Sequence, residues 1–334
     1  MELRKAKEWI AFLLALALFF TVAWFGAKLL MPVRTAYGCL WDAIRREEPE
    51  SVELMIVGSS MAYCDIAPAY LWEQTGLDAY VVAGPEQTLP ISYYYIREAC
   101  RTQSPKWLML EMTEMFFPKV GHYTLANISY MPFSVNRIGA VFAGAEPEKR
   151  FGLLFPLYSY HDRWQDVGPG ELLAHLQRPE ADRLAGYTLL TQVTPAPEPA
   201  ERDFTADSED YRTALRYLDK IVAYCAAQGI ELIPYIAPSN GKIPAPALET
   251  LRGDLTARGL PLTDFNDYFD EIGLDGETDW YDLNHLNLRG AEKFSRWLAG
   301  YLTDAAGVTP AGTADAAVWS ERLDYLVQQR AAMG

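Results

Sequence analysis

Apolar residues follow two regimes along the chain. From Trp9 to Ala27 they run unbroken as WIAFLLALALFFTVAWFGA, with no charge and no proline. Coiled as a helix rising about 1.5 Å per residue, that run matches the hydrocarbon core of a bilayer. Beyond it, short apolar runs alternate with longer amphipathic ones. Val52 to Val57 (VELMIV), Asp78 to Val82, Trp107 to Met112 (WLMLEM), Glu231 to Ala237 (ELIPYIA) and Leu262 to Phe265 predict strands. Helices are predicted at Pro68 to Gly76, Leu89 to Gln103, Pro246 to Arg258 and Leu288 to Tyr301. Another runs through Tyr211, Leu215, Leu218, Val222 and Cys225, and Gly229 closes it. Strands alternating with helices predict an α/β fold, a three-layer α/β/α sandwich whose parallel sheet binds ligands at the carboxyl ends of its strands.

These patterns divide the chain into an N-terminal membrane anchor at residues 1–32, a juxtamembrane linker at 33–51, an α/β domain at 52–303 and a C-terminal tail at 304–334. The tail carries Trp319, Leu323 and Leu326 at helical spacing, which predicts a helix docked on the domain. The domain is interrupted at residues 113–207, where aromatic and proline-broken stretches replace the alternation. This insertion is expected to wall the carboxyl edge of the sheet. The first apolar run closes on Lys28, Leu29, Leu30, Met31 and Pro32 instead of a small-residue cleavage pattern, which predicts an uncleaved anchor. Arg4, Lys5 and Lys7 ahead of it favour a cytoplasmic N-terminus with the domain outside, a bias that Lys28 and Arg34 weaken. Trp9 and Trp24 suit the two interfaces.

Composition narrows the chemistry. With 50% hydrophobic and 22% charged residues the chain is of the folded, globular class. A formal charge of -15 repels polyanions and excludes nucleic acid as a main partner. Cys39, Cys64, Cys100 and Cys225 stand far apart with no CxxC pair and no nearby histidine, so neither a zinc site nor a disulfide framework is written here, and no metal or other cofactor is expected.

Two segments carry the candidate chemistry. Ser60 stands in VGSSMAYC at the carboxyl end of the first predicted strand, where a tight turn can lift a hydroxyl into the open and aim backbone N–H groups at a reacting carbonyl. Far along the chain, WYDLNHLNLRGAEKF places Asp282 three residues before His285, ahead of a helix that Asn287 can cap. A serine nucleophile needs a base, and the base needs a carboxylate on its other nitrogen. Asp-x-x-His supplies both from one turn.

The turn VGSSMAY after the first strand, together with DLNHLNLRGAEKF near the domain's end, resembles the SGNH (GDSL-like) hydrolase superfamily. With its leading anchor the chain is similar to the bacterial cell-envelope branch, which includes polysaccharide O-acetyltransferases and the D-alanyl transfer protein of teichoic acid modification. The resemblance covers residues 52–303. It implies Ser60 as nucleophile, Asp282 and His285 as the other triad members, and the backbone N–H groups of Ser60 and Gly84 (in VVAGPEQT) as oxyanion donors. Gln87, beside Gly84, either reaches the site or is an ordinary loop residue. The chain departs from the pattern in two places. Gly58-Ser59-Ser60 replaces Gly-Asp-Ser, so the acting serine is assigned by position. The Gly-x-Asn-Asp block after the third strand is missing, and Met112, Thr113 and Glu114 stand there. Glu111 and Glu114 read as solvated carboxylates at the end of that strand. Tyr93, Tyr94, Tyr95, Trp280 and Tyr281 read either as sugar-stacking faces or as core, and three successive tyrosines cannot share one face of a helix.

The resemblance implies acyl transfer or ester hydrolysis on an extracytoplasmic envelope glycan, or on a teichoic-acid-like polymer, through an acyl-Ser60 intermediate. Outside the cytoplasm a transferase would draw its acyl group from a membrane-bound O-acyltransferase partner. A simple carbohydrate esterase would need only water. A non-catalytic envelope-binding protein that keeps the fold is the reading from another class.

Overall fold

A computed structural model describes residues 2–34, 37–39, 41–176, 183–312 and 315–334, with the side chains of Glu2 and Leu3 excepted. Thr35, Ala36 and Leu40 of the linker, residues 177–182 of the insertion and residues 313–314 of the tail lie outside the described residues. The chain forms two compact units. One comprises residues 1–35 and 146–179, the other residues 36–145 and 180–334.

The larger unit is built on a five-stranded sheet of β1 (Leu54–Gly58), β2 (Ala79–Ala83), β3 (Trp107–Glu111), β4 (Glu231–Ile236) and β5 (Thr263–Asp264), in the order β2-β1-β3-β4-β5. Every neighbouring pair is parallel. All residues of β1, β2 and β3 are buried, which is why these strands read as continuous apolar runs without alternation. Parallel pairing puts the ends Gly58, Ala83 and Glu111 on one edge.

In α2 (Ser60–Asp65) and α3 (Pro68–Thr75) the chain turns back directly after β1. α4 (Leu89–Ala99) and α5 (Val135–Gly144) pack against one another. α6 (Glu209–Gln228) starts where the Ser208 side chain accepts the Tyr211 N–H and ends at Gly229, whose φ of 70° is the left-handed cap that glycine adopts without strain. α7 (Ala245–Thr256) precedes β5. α8 (Leu288–Asp304) is capped by Asn287, which accepts from the N–H groups of Arg289 and Gly290; it buries Phe294, Leu298 and Leu302 and packs against α3, where Arg296 lies over the Tyr70 ring. In the tail, α9 (Ala316–Ala332) docks through Trp319, which stacks on Trp72 at a centroid distance of 6.3 Å and donates to Asp78.

The smaller unit joins the N-terminal helix α1 (Glu2–Leu30) to the middle of the insertion. The helix Pro156–Tyr160 packs along α1, and the Arg163 guanidinium donates to the Leu30 carbonyl at 2.5 Å while pairing with Glu171 at 3.0 Å. The insertion is divided between the two units. Residues 146–179 cluster with α1, while residues 113–145 and 180–207 belong to the sheet-bearing unit. Among its described residues the linker contributes the short helix Trp41–Ile44, whose Trp41 meets Tyr95 edge-on at 4.8 Å.

Candidate active site

The site is assembled where β1 ends. Ser59 and Ser60 follow Gly58, and α2 begins at Ser60, so the sequence's expected turn is also the first turn of a helix. A Cβ on Gly58 would strike the side chains of Glu111 and Ala62, and only glycine lets β1 pass into α2 beside the end of β3. The two serines face opposite ways. Ser59 is fully buried and its Oγ donates to Glu111 Oε2 at 3.4 Å, whereas Ser60 is partly exposed.

Ser60 Oγ lies 2.7 Å from His285 Nε2. His285 Nδ1 lies 2.9 Å from each carboxylate oxygen of Asp282. Asp282 also accepts the backbone N–H groups of Asn284 at 2.8 Å and His285 at 3.0 Å, so the carboxylate that orients the ring also shapes the turn carrying it. Burial raises the Asp282 carboxyl, but the ring hydrogen bond, the His285 charge and the two backbone donors outweigh it and hold the group below its ordinary range. An antiparallel bridge from Trp280 to Leu286 closes the loop, and Thr194 of the insertion bridges to Trp280 from the other side.

Asp65, which the sequence did not single out, ties the two halves together. It ends α2, is fully buried, and accepts the Leu286 N–H at 2.9 Å, bonding the helix that starts at Ser60 to the residue after His285. Burial pushes its carboxyl well above the ordinary range, with the Leu286 N–H acting against that shift.

The three expected oxyanion donors fare differently. The Ser60 N–H, in the first turn of α2, has no acceptor among the described residues, as the first donors of a helix lack intrahelical partners. The Gly84 N–H extends the β1–β2 ladder and donates to the Gly58 carbonyl at 3.3 Å. Gln87 is fully buried, and its Nε2 donates to Ser92 Oγ at 2.8 Å, which places its donor in a network behind the site.

That network corrects the reading of Glu111 and Glu114 as solvated, because both are buried. Glu111 accepts the Thr113 N–H at 3.0 Å as well as the Thr113 hydroxyl, and Glu114 accepts from Ser92 Oγ at 2.5 Å. Burial pushes Glu111 up to about 7 against the pull of the Thr113 donors, the Arg202 charge and Ser59. It drives Glu114 well above the ordinary carboxylate range. Trp280 and Tyr95 are likewise buried in the core, whereas Tyr93 and Tyr94 are partly exposed and pack against Tyr217 of α6 at 5.8 and 6.4 Å. Tyr281 alone of the five flanks the triad while partly exposed.

Glu111 makes a testable link between pH and stability. Folded, it keeps its proton up to about pH 7, while an ordinary glutamate releases it near 4.5, so its stabilising contribution is complete below 4.5 and is lost as the pH climbs to about 7. A shift of that size corresponds to about 3 kcal/mol. Glu111→Gln keeps an acceptor for Thr113 and should flatten the decline in melting temperature between about pH 5 and pH 8, with the variant melting above the wild type at the upper end. Parallel curves for the two proteins would exclude this role.

Compared with known proteins, the chain is matched by no family model and by no curated protein, so the chemistry of Ser60, His285 and Asp282 is read from their geometry.

Proposed function

We propose that this chain is a membrane-anchored serine acyltransferase or esterase, similar to the cell-envelope branch of the SGNH hydrolases, acting on an extracytoplasmic glycan or related polymer. The observation that carries the reading is the Ser60–His285–Asp282 relay, in hydrogen-bond contact throughout at the carboxyl edge of a parallel sheet. Ser60 Oγ attacks the ester carbonyl as its proton passes to His285 Nε2, and Asp282 stabilises the resulting imidazolium at Nδ1. The Ser60 N–H supports the oxyanion. Collapse expels the alcohol, which takes the proton from Nε2 and leaves acyl-Ser60. Water or an acceptor hydroxyl, deprotonated by His285, then releases the acyl group and restores the serine. Attack by a sugar hydroxyl makes a transferase, supplied with acyl groups by a membrane-bound O-acyltransferase. Attack by water makes an esterase.

An activated fluorophosphonate should label the full-length protein at Ser60, located by peptide mass spectrometry, and Ser60→Ala should abolish the label. A folded protein that resists labelling would favour the envelope-binding reading.

Arg4–Leu30 is long and apolar enough to cross a membrane, and its side chains stay largely exposed. Retention of this helix is supported by its contacts with residues 146–179, above all the Arg163 bond to the Leu30 carbonyl, which cleavage after the span would remove. The mature protein should therefore keep its N-terminus and sediment with membranes. N-terminal sequencing that begins after residue 30 would overturn this.

A further inference from the structure

Near the His285 loop stands a cation that makes no ion pair and donates no side-chain hydrogen bond among the described residues. Arg202 follows the two-residue strand Ala200–Glu201, which pairs in parallel with Gly241–Lys242. The N–H groups of Asn240 and Gly241 donate to the Leu283 carbonyl at 3.0 and 3.2 Å, two residues before His285. A Cβ built on Gly241 would meet both the Asn284 side-chain oxygen and the Arg202 side chain, so Arg202 runs alongside the His285 loop. Its guanidinium lies over the rings of Phe117 at 5.3 Å and Phe204 at 4.4 Å, and Phe117 ends the short turn that leaves β3 after Glu111. Arg202 thus bridges the His285 loop and the end of β3 on the carboxyl side of the sheet, where ligands bind in open parallel folds.

Among the described residues the Arg202 guanidinium makes no ion pair and donates no hydrogen bond. The charges that act on it are Glu111 and Glu86. Glu111 is buried and spends its oxygens on Thr113 and Ser59, and Glu86 sits at a left-handed φ of 38° in the loop after β2. The neighbouring cation is already committed, because Lys242 Nζ donates to the Ser239 carbonyl and to Asn266 Oδ1, the latter at 2.8 Å. A half-buried guanidinium, oriented on two ring faces with its planar fork of donors unpaired, is partly desolvated and attracted by Glu111 and Glu86 without a hydrogen-bonded counter-ion. Two adjacent oxygens of one anion match that fork, which a single neutral hydroxyl cannot do.

We propose that Arg202 is the anchor for an anionic group, a carboxylate or phosphate, carried by the substrate on which Ser60 acts. The assignment deepens the proposed acyl-transfer function and rests on it for the word substrate, while the anion site itself is read without turnover. The test uses full-length protein in detergent with Ser60→Ala, titrated by NMR with glucuronate, glycerol phosphate and glucose. At least one of the two anions should bind at least about tenfold more tightly than glucose, with affinity falling as salt rises. Comparison of the two assigns carboxylate or phosphate. Arg202→Gln should remove most of that preference, and Arg202→Lys, which keeps the charge but loses the fork, should retain part of it. No preference over glucose in the Ser60→Ala parent, or an undiminished preference in either Arg202 variant, overturns the assignment. Because binding alone is measured, an inert Ser60 in the labelling experiment leaves this result readable.

Discussion

Ser60→Ala should reduce hydrolysis of a small aryl acetate to the background rate, a loss of roughly 10⁴- to 10⁶-fold in kcat when a nucleophile acts as one unit with its base. The aryl ester suits the purpose because its leaving group makes few demands on an acceptor site. Ser60 is partly exposed and in contact with His285 Nε2, while Ser59 is sealed beneath it and turned towards Glu111. Ser59→Ala should therefore leave most of the turnover, its cost being a hydrogen bond to Glu111 worth about 1 kcal/mol of stability. Circular dichroism and melting curves of both variants establish that each is folded. Equal losses from the two substitutions, with both proteins folded, would take the nucleophile away from Ser60.

The contrast between these serines marks where the sequence was readable and where it was not. The runs VELMIV and WLMLEM became β1 and β3 within two residues of their expected limits, because strands buried on both faces leave an uninterrupted apolar trace. Gly229 and Asn287 were visible as caps because their conformational and hydrogen-bonding roles are local. Pairing Ser60 with the Asp282–His285 turn needed the two segments to be considered together, since each is ordinary alone. What stayed hidden depends on contacts that no periodicity encodes. The six-residue helix after Ser59 is too short to show a pattern, and so Asp65, whose value lies in reaching Leu286, carried no signal. Glu111 and Glu114 did leave a trace in LMLEMTEMFF, where apolar residues on both sides and Thr113 between them could have suggested burial with local donors. Arg202 sits in PAPEPAERDF, which reads as linker by composition, and the pairing of Ala200–Glu201 with Gly241–Lys242 brings it beside the His285 loop. The aromatic stretch containing Phe151, Phe155 and Tyr158 gave no hint of its grouping with α1, because these rings remain exposed and contact one another.

Asp282→Asn should lower kcat/KM for the same ester by about four powers of ten while leaving the protein folded. Both carboxylate oxygens face Nδ1 at 2.9 Å, and one of them also holds the backbone N–H groups of Asn284 and His285. Asparagine keeps an oxygen for the backbone, so the turn survives, but its amide nitrogen now faces the ring. A donor opposite Nδ1 requires Nδ1 to accept, which sends the ring proton to Nε2 and removes the lone pair that should receive the Ser60 proton. The neutral amide also withdraws the charge that stabilises the imidazolium, a charge present in the wild type because the His285 ring and the two backbone donors overcome the burial of Asp282 and keep it ionised. Asp282→Ala removes the turn acceptor as well, so it should match the asparagine variant in rate and fall below it in melting temperature. The fluorophosphonate reaction should slow in both, since it too requires deprotonation of Ser60. An Asp282→Asn protein within tenfold of wild-type activity would mean that the carboxylate serves the turn and not the chemistry.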